Sequence, residues 1–237
     1  VSSSTVEHWS AALVGCVIHN GRIDVTAGEV PIMDGSASVF VRAFLNAGIV
    51  AQRAPVKALR VLKPVEVRRG DAVARIMPHK TLLIEFDIEF EDQAIGAQSK
   101  KLNMSNGSFV RELCSSRTFC RQADVDHMQA NGLALGGSPG ENAVVFDGDK
   151  IVSPGGLRHA DEPVRHKMLD ALGDLGLAGV PILGHYQGIR AGHALTNDLL
   201  RALFADREAF EIVECDPKML SLLPGAGVHL GELPEVA

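Results

Sequence analysis

The chain is poor in the residues that make nucleic-acid platforms or disulfide scaffolds. A single Trp and a single Tyr are too few aromatic side chains to stack successive bases. Basic residues do not outnumber acids, and the formal net charge is −6. That excludes the basic stripe of a general nucleic-acid binder, though not a local basic pocket for a small anion. The four cysteines, Cys16, Cys114, Cys120 and Cys215, form no CxxC pair and read as reduced thiols of a cytosolic protein. No apolar run approaches the roughly 18 residues of a membrane span. The opening "VSSSTVEHWSAALVGC" lacks the basic head of a signal peptide.

What is present is a globular composition, 46% hydrophobic and 22% charged over 237 residues. That is enough for a core in one large domain or two smaller ones. Residues 5–17 have helical spacing through Trp9, Ala12, Leu13 and Cys16, with Ser4 or Thr5 as a cap. "GRIDVTAGEVPIMDGS" reads as a strand running into a loop, and "SASVFVRAFLNAGIV" as a second helix closed near Gly48. "AQRAPVKA" is the best linker candidate. The period then changes, and residues 57–92 predict three short strands separated by "RRGD" and "MPHK". "GSFVRELCSSRTF" reads as a short helix with Ser108 as cap, and "DVDHMQANGLALGG" as another, ended by Gly132. "AVVFDGDKIVS" predicts a hairpin turning at Asp147-Gly148 or Gly148-Asp149. Helices follow at 161–176, with Asp161 as cap, and at 193–205, flanking the strand "VPILGHYQGIRAG"; the tail after Pro217 is loop-like. Strands grouped ahead of helices predict an α+β protein rather than a doubly wound sheet.

The stretch "VRHKMLDALGD" places His166, Asp170 and Asp174 at four-residue steps. On a helix these lie on one face, so His166 and Asp170 can share an ion. A catalytic zinc takes three protein ligands and keeps one position open. A solvated face is the commoner origin of such spacing, and the third ligand must come from elsewhere. Glu7 and His8 stand side by side near a helix start, where an imidazole can bind metal while the neighbouring carboxylate takes a proton from water. The alternative is an acid favoured by the helix dipole beside an exposed histidine. His193, in "RAGHALTND", paired with an Asp would hold its proton more readily; otherwise it is a polar residue at a helix start.

Several longer motifs then occur in a specific order: "STVEH", "PIMDGSA", "SRTF", "GLALGG", "NAVVFD", "GLRHADEPVRHKMLDALGDLGLAG" and "AGHAL". In order and spacing they resemble the UDP-3-O-acyl-N-acetylglucosamine deacetylases of lipid A biosynthesis, from residue 4 to about 205. The resemblance implies Zn2+ held by His8, His166 and Asp170, with Glu7 as general base. It gives Lys167 and His193 the stabilisation of the oxyanion or the protonation of the leaving amine, with Asp174 orienting His193. Thr118 would contact the substrate carbonyl oxygen, and Phe119 follows it in the same motif. Phe90 would pack on the uracil ring and Arg190 would stand near the nucleotide phosphates.

The fold implied is a two-domain helix-on-sheet sandwich of the α+β class. Residues 1–52 would be the later part of domain I, and 56–237 domain II. A β-α-β insert at about 120–160 would make the acyl passage, with Asp124, Val125, Met128, Ala134 and Gly137 along it. The family has a further segment before "STVEH", so the first domain is expected to be incomplete here. Other departures are "EDQAIG" after Phe90 in place of His-Pro, Pro163 where an aromatic is usual, and "AGHAL" for Ser-Gly-His; Pro163 is compatible with a first helical turn. The expected partner is the UDP-linked acylated N-acetylglucosamine substrate, with no nucleic acid, no stable membrane insertion and a monomeric state. The location implied is the cytoplasm of a Gram-negative-type bacterium. Two alternatives stay open: a family remnant that binds zinc or the nucleotide-lipid without turnover, and a zinc deacetylase for another N-acyl sugar.

Overall fold

The alternation in "LLIEFDIE" builds the centre of the main sheet. β4 (Leu82–Glu89) buries Leu82, Ile84, Phe86 and Ile88 and turns Leu83, Glu85 and Asp87 to the other face, as the two-residue period of a strand requires. The computed structural model describes residues 5–125 and 142–234. Within them β4 lies parallel to β9 (Ile182–Ile189) and antiparallel to β5 (Ala97–Asn103). On its other side β9 pairs antiparallel with β3 (Ala72–Pro78), which pairs with β2 (Val65–Arg69). The first residues of β9 also pair with β1 (Lys57–Val61), which carries β10 (Phe210–Glu214) on its outer edge. Gly188 lets Phe86 lie against β9, since a Cβ there would meet the Phe86 ring at 2.7 Å.

One face of this sheet is covered by helices. α3 (Glu162–Leu175) packs on β4 and β5 and is itself covered by α1 (Glu7–Gly15). All its residues except Arg165 and Lys167 are buried, as expected of a helix enclosed on several sides. α2 (Ser38–Ala47) packs on α1 and ends at Gly48, whose φ of 83° suits glycine. α4 (His193–Ala205) lies over β2 and β3 and buries Leu195, Leu199 and Leu203 at helical spacing. The buried hydroxyls of Tyr186 and Thr196, 2.9 Å apart, pin its first turn to β9.

Glycine fixes how closely α1 approaches α3. A Cβ at Gly173 would lie 2.1 Å from the backbone oxygen of Glu7, and one at Gly176 would meet Val14 at 2.9 Å. At the far end of α1 a Cβ on Gly15 would meet the Phe109 ring at 2.0 Å. The "LGDLG" of α3 is therefore the seat of α1.

A smaller three-stranded sheet joins β6 (Phe119–Arg121), parallel to β7 (Val144–Asp147), with β8 (Lys150–Ile151) antiparallel on β7. The β7–β8 hairpin turns through Gly148-Asp149, as expected, with Gly148 at φ 60°. A parallel pair needs a crossover between its strands. The expected helix ended by Gly132 falls largely outside the described residues, as do Met128, Ala134 and Gly137.

Several expectations are corrected. Residues 21–35 form no strand, only a single bridge residue at Glu29; Ile23 and Val25 are about half exposed, so the alternation buries no face. Residues 57–89 carry four strands rather than three, because the Leu62–Pro64 break separates β1 from β2. The element after Ser108 is a π-helical turn, Phe109–Leu113, and the Ser108 hydroxyl donates to the Ser105 carbonyl instead of capping it. Val6 is the N-cap of α1 and no side chain caps it. Asp161 precedes α3 but its carboxylate accepts from Lys100 and Arg165. The tail holds a short helix, α5 (Pro217–Leu220), capped by Asp216 through the Met219 N–H. Among the described residues no helix is long and apolar enough to cross a membrane.

The α1–α3 seat yields a stability prediction. Gly173→Ala should lower the denaturant midpoint by an amount worth about 1–3 kcal/mol or more, because the clash is with backbone. Gly28→Ala, which meets nothing within 4 Å, should stay within about 0.5 kcal/mol. Equal stability of the two variants would show that the helices are not held at this distance by Gly173.

Candidate metal centre and active site

The seating of α1 on α3 brings together residues far apart in the chain. His8, on the first turn of α1, meets His166 and Asp170 on α3, with one potential ligand atom from each lying within 4.8 Å of the others. All three are buried, at 3%, 2% and 5% exposure. The two imidazoles meet edge to face with centroids 5.0 Å apart. The expected ligand set therefore converges, and it is the only such group among the described residues.

The hydrogen bonding shows what the group lacks. The Ser116 carbonyl lies 3.0 Å from His166 Nδ1. A carbonyl can only accept, so Nδ1 carries the proton and Nε2 of the neutral ring presents a lone pair. That Nε2 lies 3.2 Å from Asp170 Oδ1, a buried oxygen with no hydrogen-bond partner. His8 Nε2 is 3.9 Å from the same oxygen. Two imidazole nitrogens and an unsatisfied carboxylate oxygen facing one point are a candidate cation site, and the His₂-carboxylate set fits zinc.

The surrounding groups tune His8 and Asp170. Burial and the neighbouring His166 hold the His8 pKa down to about 4, so the ring is neutral, as a ligand must be. Burial disfavours the Asp170 charge, yet His166, Lys167 and His193 hold its carboxyl well below the usual range. Lys167 donates to Asp170 Oδ2 at 2.7 Å, leaving Oδ1 for a ligand. Burial works against the Lys167 charge, but Asp170, Asp174 and Glu7 around it raise its pKa overall.

His193 and Asp174 form the second pair. His193 Nδ1 is 3.0 Å from both Asp174 oxygens, and its Nε2 is 3.9 Å from Asp170 Oδ2. The hydrogen bond to Asp174 raises the His193 pKa to about 8 against the effect of burial. Burial pushes the Asp174 carboxyl up, against the pull of that ring. The half-exposed His193 can thus hold a proton at neutral pH beside the cation site. Glu7, half-buried, precedes His8 on the same helical turn.

The remaining expected residues fall in two groups. Phe119 lies edge-on to the His166 ring at 6.4 Å and to Phe90 at 5.5 Å, so an aromatic row leads away from the triad. Thr118 is fixed by its backbone, its N–H donating to the Gly35 carbonyl and its carbonyl accepting from Val144. Arg190 is exposed and paired with Glu89. Asp124 is exposed, and Val125 is buried at 5%.

Sequence reasoning gave no role to the polar cluster beneath the triad. Glu162, 1% exposed, accepts from the Arg117 N–H and side chain and from the Arg158 N–H. Arg158 in turn donates to Asp34 at 3.0 Å and to the Ser115 carbonyl at 2.9 Å. Asp34 turns the chain by accepting from the Ser36 N–H and hydroxyl. The signal was in the quoted motifs: "PIMDGSA" carries Asp34, and "GLRHADEPVRHK" carries Arg158 and Glu162.

Helices on a mixed sheet, with a buried His₂-carboxylate group flanked by a carboxylate and a charged His–Asp pair, define the class: an α+β protein with a candidate metal site of the kind hydrolases use. Residues 1–205 match the sequence model of the family described as LpxC: UDP-3-O-acyl N-acetylglycosamine deacetylase. The chain is 45% identical over 233 residues to a protein of Shewanella frigidimarina (strain NCIMB 400), covering 96% of this chain and 76% of that one. It is 47% identical over 212 residues to a protein of Shewanella violacea, covering 89% and 69% respectively. Both relatives are named UDP-3-O-acyl-N-acetylglucosamine deacetylase. This chain belongs to that family.

Zinc added to chelator-stripped protein should raise the unfolding temperature, since a ligand bound only by the folded state stabilises it, by about 2.7 kcal/mol at a hundredfold excess over Kd. His8→Ala removes the ligand contributed by α1 and should abolish the shift. A full zinc-induced shift in His8→Ala would place the ion elsewhere.

Proposed function

We propose that the chain is a zinc-dependent amide hydrolase of lipid A biosynthesis, releasing acetate from UDP-3-O-acyl-N-acetylglucosamine. The observation that carries this reading is the convergence of His8 from α1 with His166 and Asp170 from α3 around an unsatisfied carboxylate oxygen, in a chain of this family. Zinc held there would polarise the acetamide carbonyl and acidify water.

The chain's own groups supply the rest of the reaction. Glu7 takes the proton of the attacking water as its oxygen bonds to the acetamide carbon. The developing oxyanion is stabilised by the Thr118 hydroxyl and the Lys167 ammonium, the latter kept charged by its three acidic neighbours. As the carbon–nitrogen bond breaks, His193 gives its Nε2 proton to the sugar amine, and Asp174 holds the ring through Nδ1. Acetate and the free amine are the products.

Substrate recognition follows the same layout. The aromatic row from His166 through Phe119 to Phe90 supports placing the nucleotide base at Phe90. Arg190, three residues before His193, is assigned to the phosphates. Asp124, Val125, Met128, Ala134 and Gly137 are assigned to the acyl passage, built on the β6–β7 pair that follows Thr118. The two-domain division at residues 52–56 belongs to this reading, with the triad between α1 of the first domain and α3 of the second.

Glu7→Gln should keep zinc while lowering deacetylation of UDP-3-O-acyl-N-acetylglucosamine about 10²- to 10⁴-fold. His166→Ala should lose both metal and activity. Acetate release and metal content measured side by side decide the matter. Equal zinc loss in the two variants would make Glu7 a ligand or a packing residue instead of the base. A zinc-loaded wild-type chain that releases no acetate would point to binding without turnover.

A further inference from the structure

One peptide unit links the buried Glu162 cluster to the metal triad. The carbonyl of Ser116 accepts from His166 Nδ1 at 3.0 Å, and the N–H of Arg117, on the other side of the same peptide bond, donates to Glu162 Oε1 at 2.9 Å. Glu162 and His166 are four residues apart on α3, so their side chains lie one above the other on one face. The oppositely directed C=O and N–H of a trans peptide fit between them. The Ser116–Arg117 peptide is thus bracketed by two side chains of one helix, and its orientation has a single sense: carbonyl to the imidazole, N–H to the carboxylate.

We propose that Glu162 is a positioning residue for the metal centre, which by fixing this peptide locks His166 in the Nδ1–H tautomer and leaves the Nε2 lone pair free for the ion. This rests on the reading of His8, His166 and Asp170 as a metal site. Four donors converge on the Glu162 carboxylate: the Arg117 N–H, Nε and Nη2, and the Arg158 N–H. Burial disfavours its charge, but these donors hold its pKa below the usual carboxylate value, so it acts as an acceptor only. If the peptide flipped, its N–H would face His166 Nδ1 and its carbonyl would face the carboxylate, setting oxygen against oxygen. The histidine would then take the Nε2–H tautomer, whose proton occupies the ion's position. Metal-ligating histidines depend on such partners, whose loss typically weakens binding about 10- to 100-fold. Nδ1 of His8 has no such partner, so the centre's orientation relies on His166.

The orientation also carries forward along the chain. Thr118 and Phe119 follow this peptide directly, and Phe119 lies against the His166 ring. A peptide fixed at 116–117 therefore sets where the "SRTF" segment presents both residues.

The test is Glu162→Gln, which keeps the side chain's size but turns an amide NH₂ toward N–H donors. Zinc affinity by competition with a chromophoric chelator, and the His166 tautomer by long-range ¹H–¹⁵N spectra of the metal-free protein, are the readouts. The expected result is zinc binding weakened about 10- to 100-fold with an Nε2–H population at His166 that the wild type lacks. A folded Glu162→Gln with wild-type zinc affinity and an unchanged tautomer would overturn the inference, making Glu162 a packing group only. Should the variant not fold, the metal-free wild type still decides: His166 must be Nδ1–H, and an Nε2–H signal would refute the lock. Wild type that takes up no zinc would instead refute the metal reading itself, a separable outcome.

Discussion

The distance between two helices decides whether this protein has a site at all. α1 rests on α3 at Gly173, where the Glu7 backbone oxygen occupies the space that any Cβ would fill. His8, the next residue after Glu7, is thereby delivered to His166 and Asp170, one turn or two back along α3 from that contact. The backbone approach and the candidate ligand set are one arrangement: Asp170 lies three residues before Gly173 and Asp174 directly after it, and both are buried. The sheet supplies the opposing support, with β4 and β5 behind α3.

Burying this many ionisable groups is costly unless each is paired. Here the acids and cations alternate through space: Lys167 on Asp170, His193 on Asp174, Arg117 on Glu162 and Arg158 on Asp34. Besides His8 Nδ1, the unpaired atom among these groups is the Asp170 oxygen that faces two imidazoles. Unsatisfied buried atoms are rare in folded proteins and call for an explanation; a cation at that point provides it. The arrangement also separates tasks. His8 is kept neutral and enclosed, whereas His193, half-exposed beside Asp174, holds its proton at neutral pH. Two histidines of the same ordinary pKa are thus fitted by their surroundings to the ligation and the proton transfer that we propose for them.

Local pattern revealed the elements whose period is enforced by burial. α4 starts at His193 and ends at Ala205 as its apolar spacing predicts, α3 lies within one residue of expectation and β9 within three. β5 and β10 carried no such signal: no residue of either is fully buried, and both have one strand neighbour only. The apparent strand at 21–35 shows the converse, alternation without burial: residues 21–29 are all exposed. For the site, the four-residue spacing of His166, Asp170 and Asp174 was legible from helix geometry. The joining of His8 to them was not, because it depends on the glycine seat; the Glu7-His8 pair made His8 a candidate from the residues, and the family resemblance assigned it. The Glu162 cluster was present in the motifs but not legible as a cluster for a related reason: it satisfies backbone groups of a distant loop, and nothing in local periodicity encodes that.

The central claim is that α1 and α3 together hold a zinc ion through two imidazoles and one carboxylate. X-ray absorption of the zinc-loaded protein tests it most directly, because four free cysteines are also present and would compete as softer ligands. The account predicts a first shell of nitrogen and oxygen only, at about 2.0–2.2 Å, with the outer-shell scattering of two imidazoles. A sulfur shell at about 2.3 Å, or a first shell without imidazole, would contradict it.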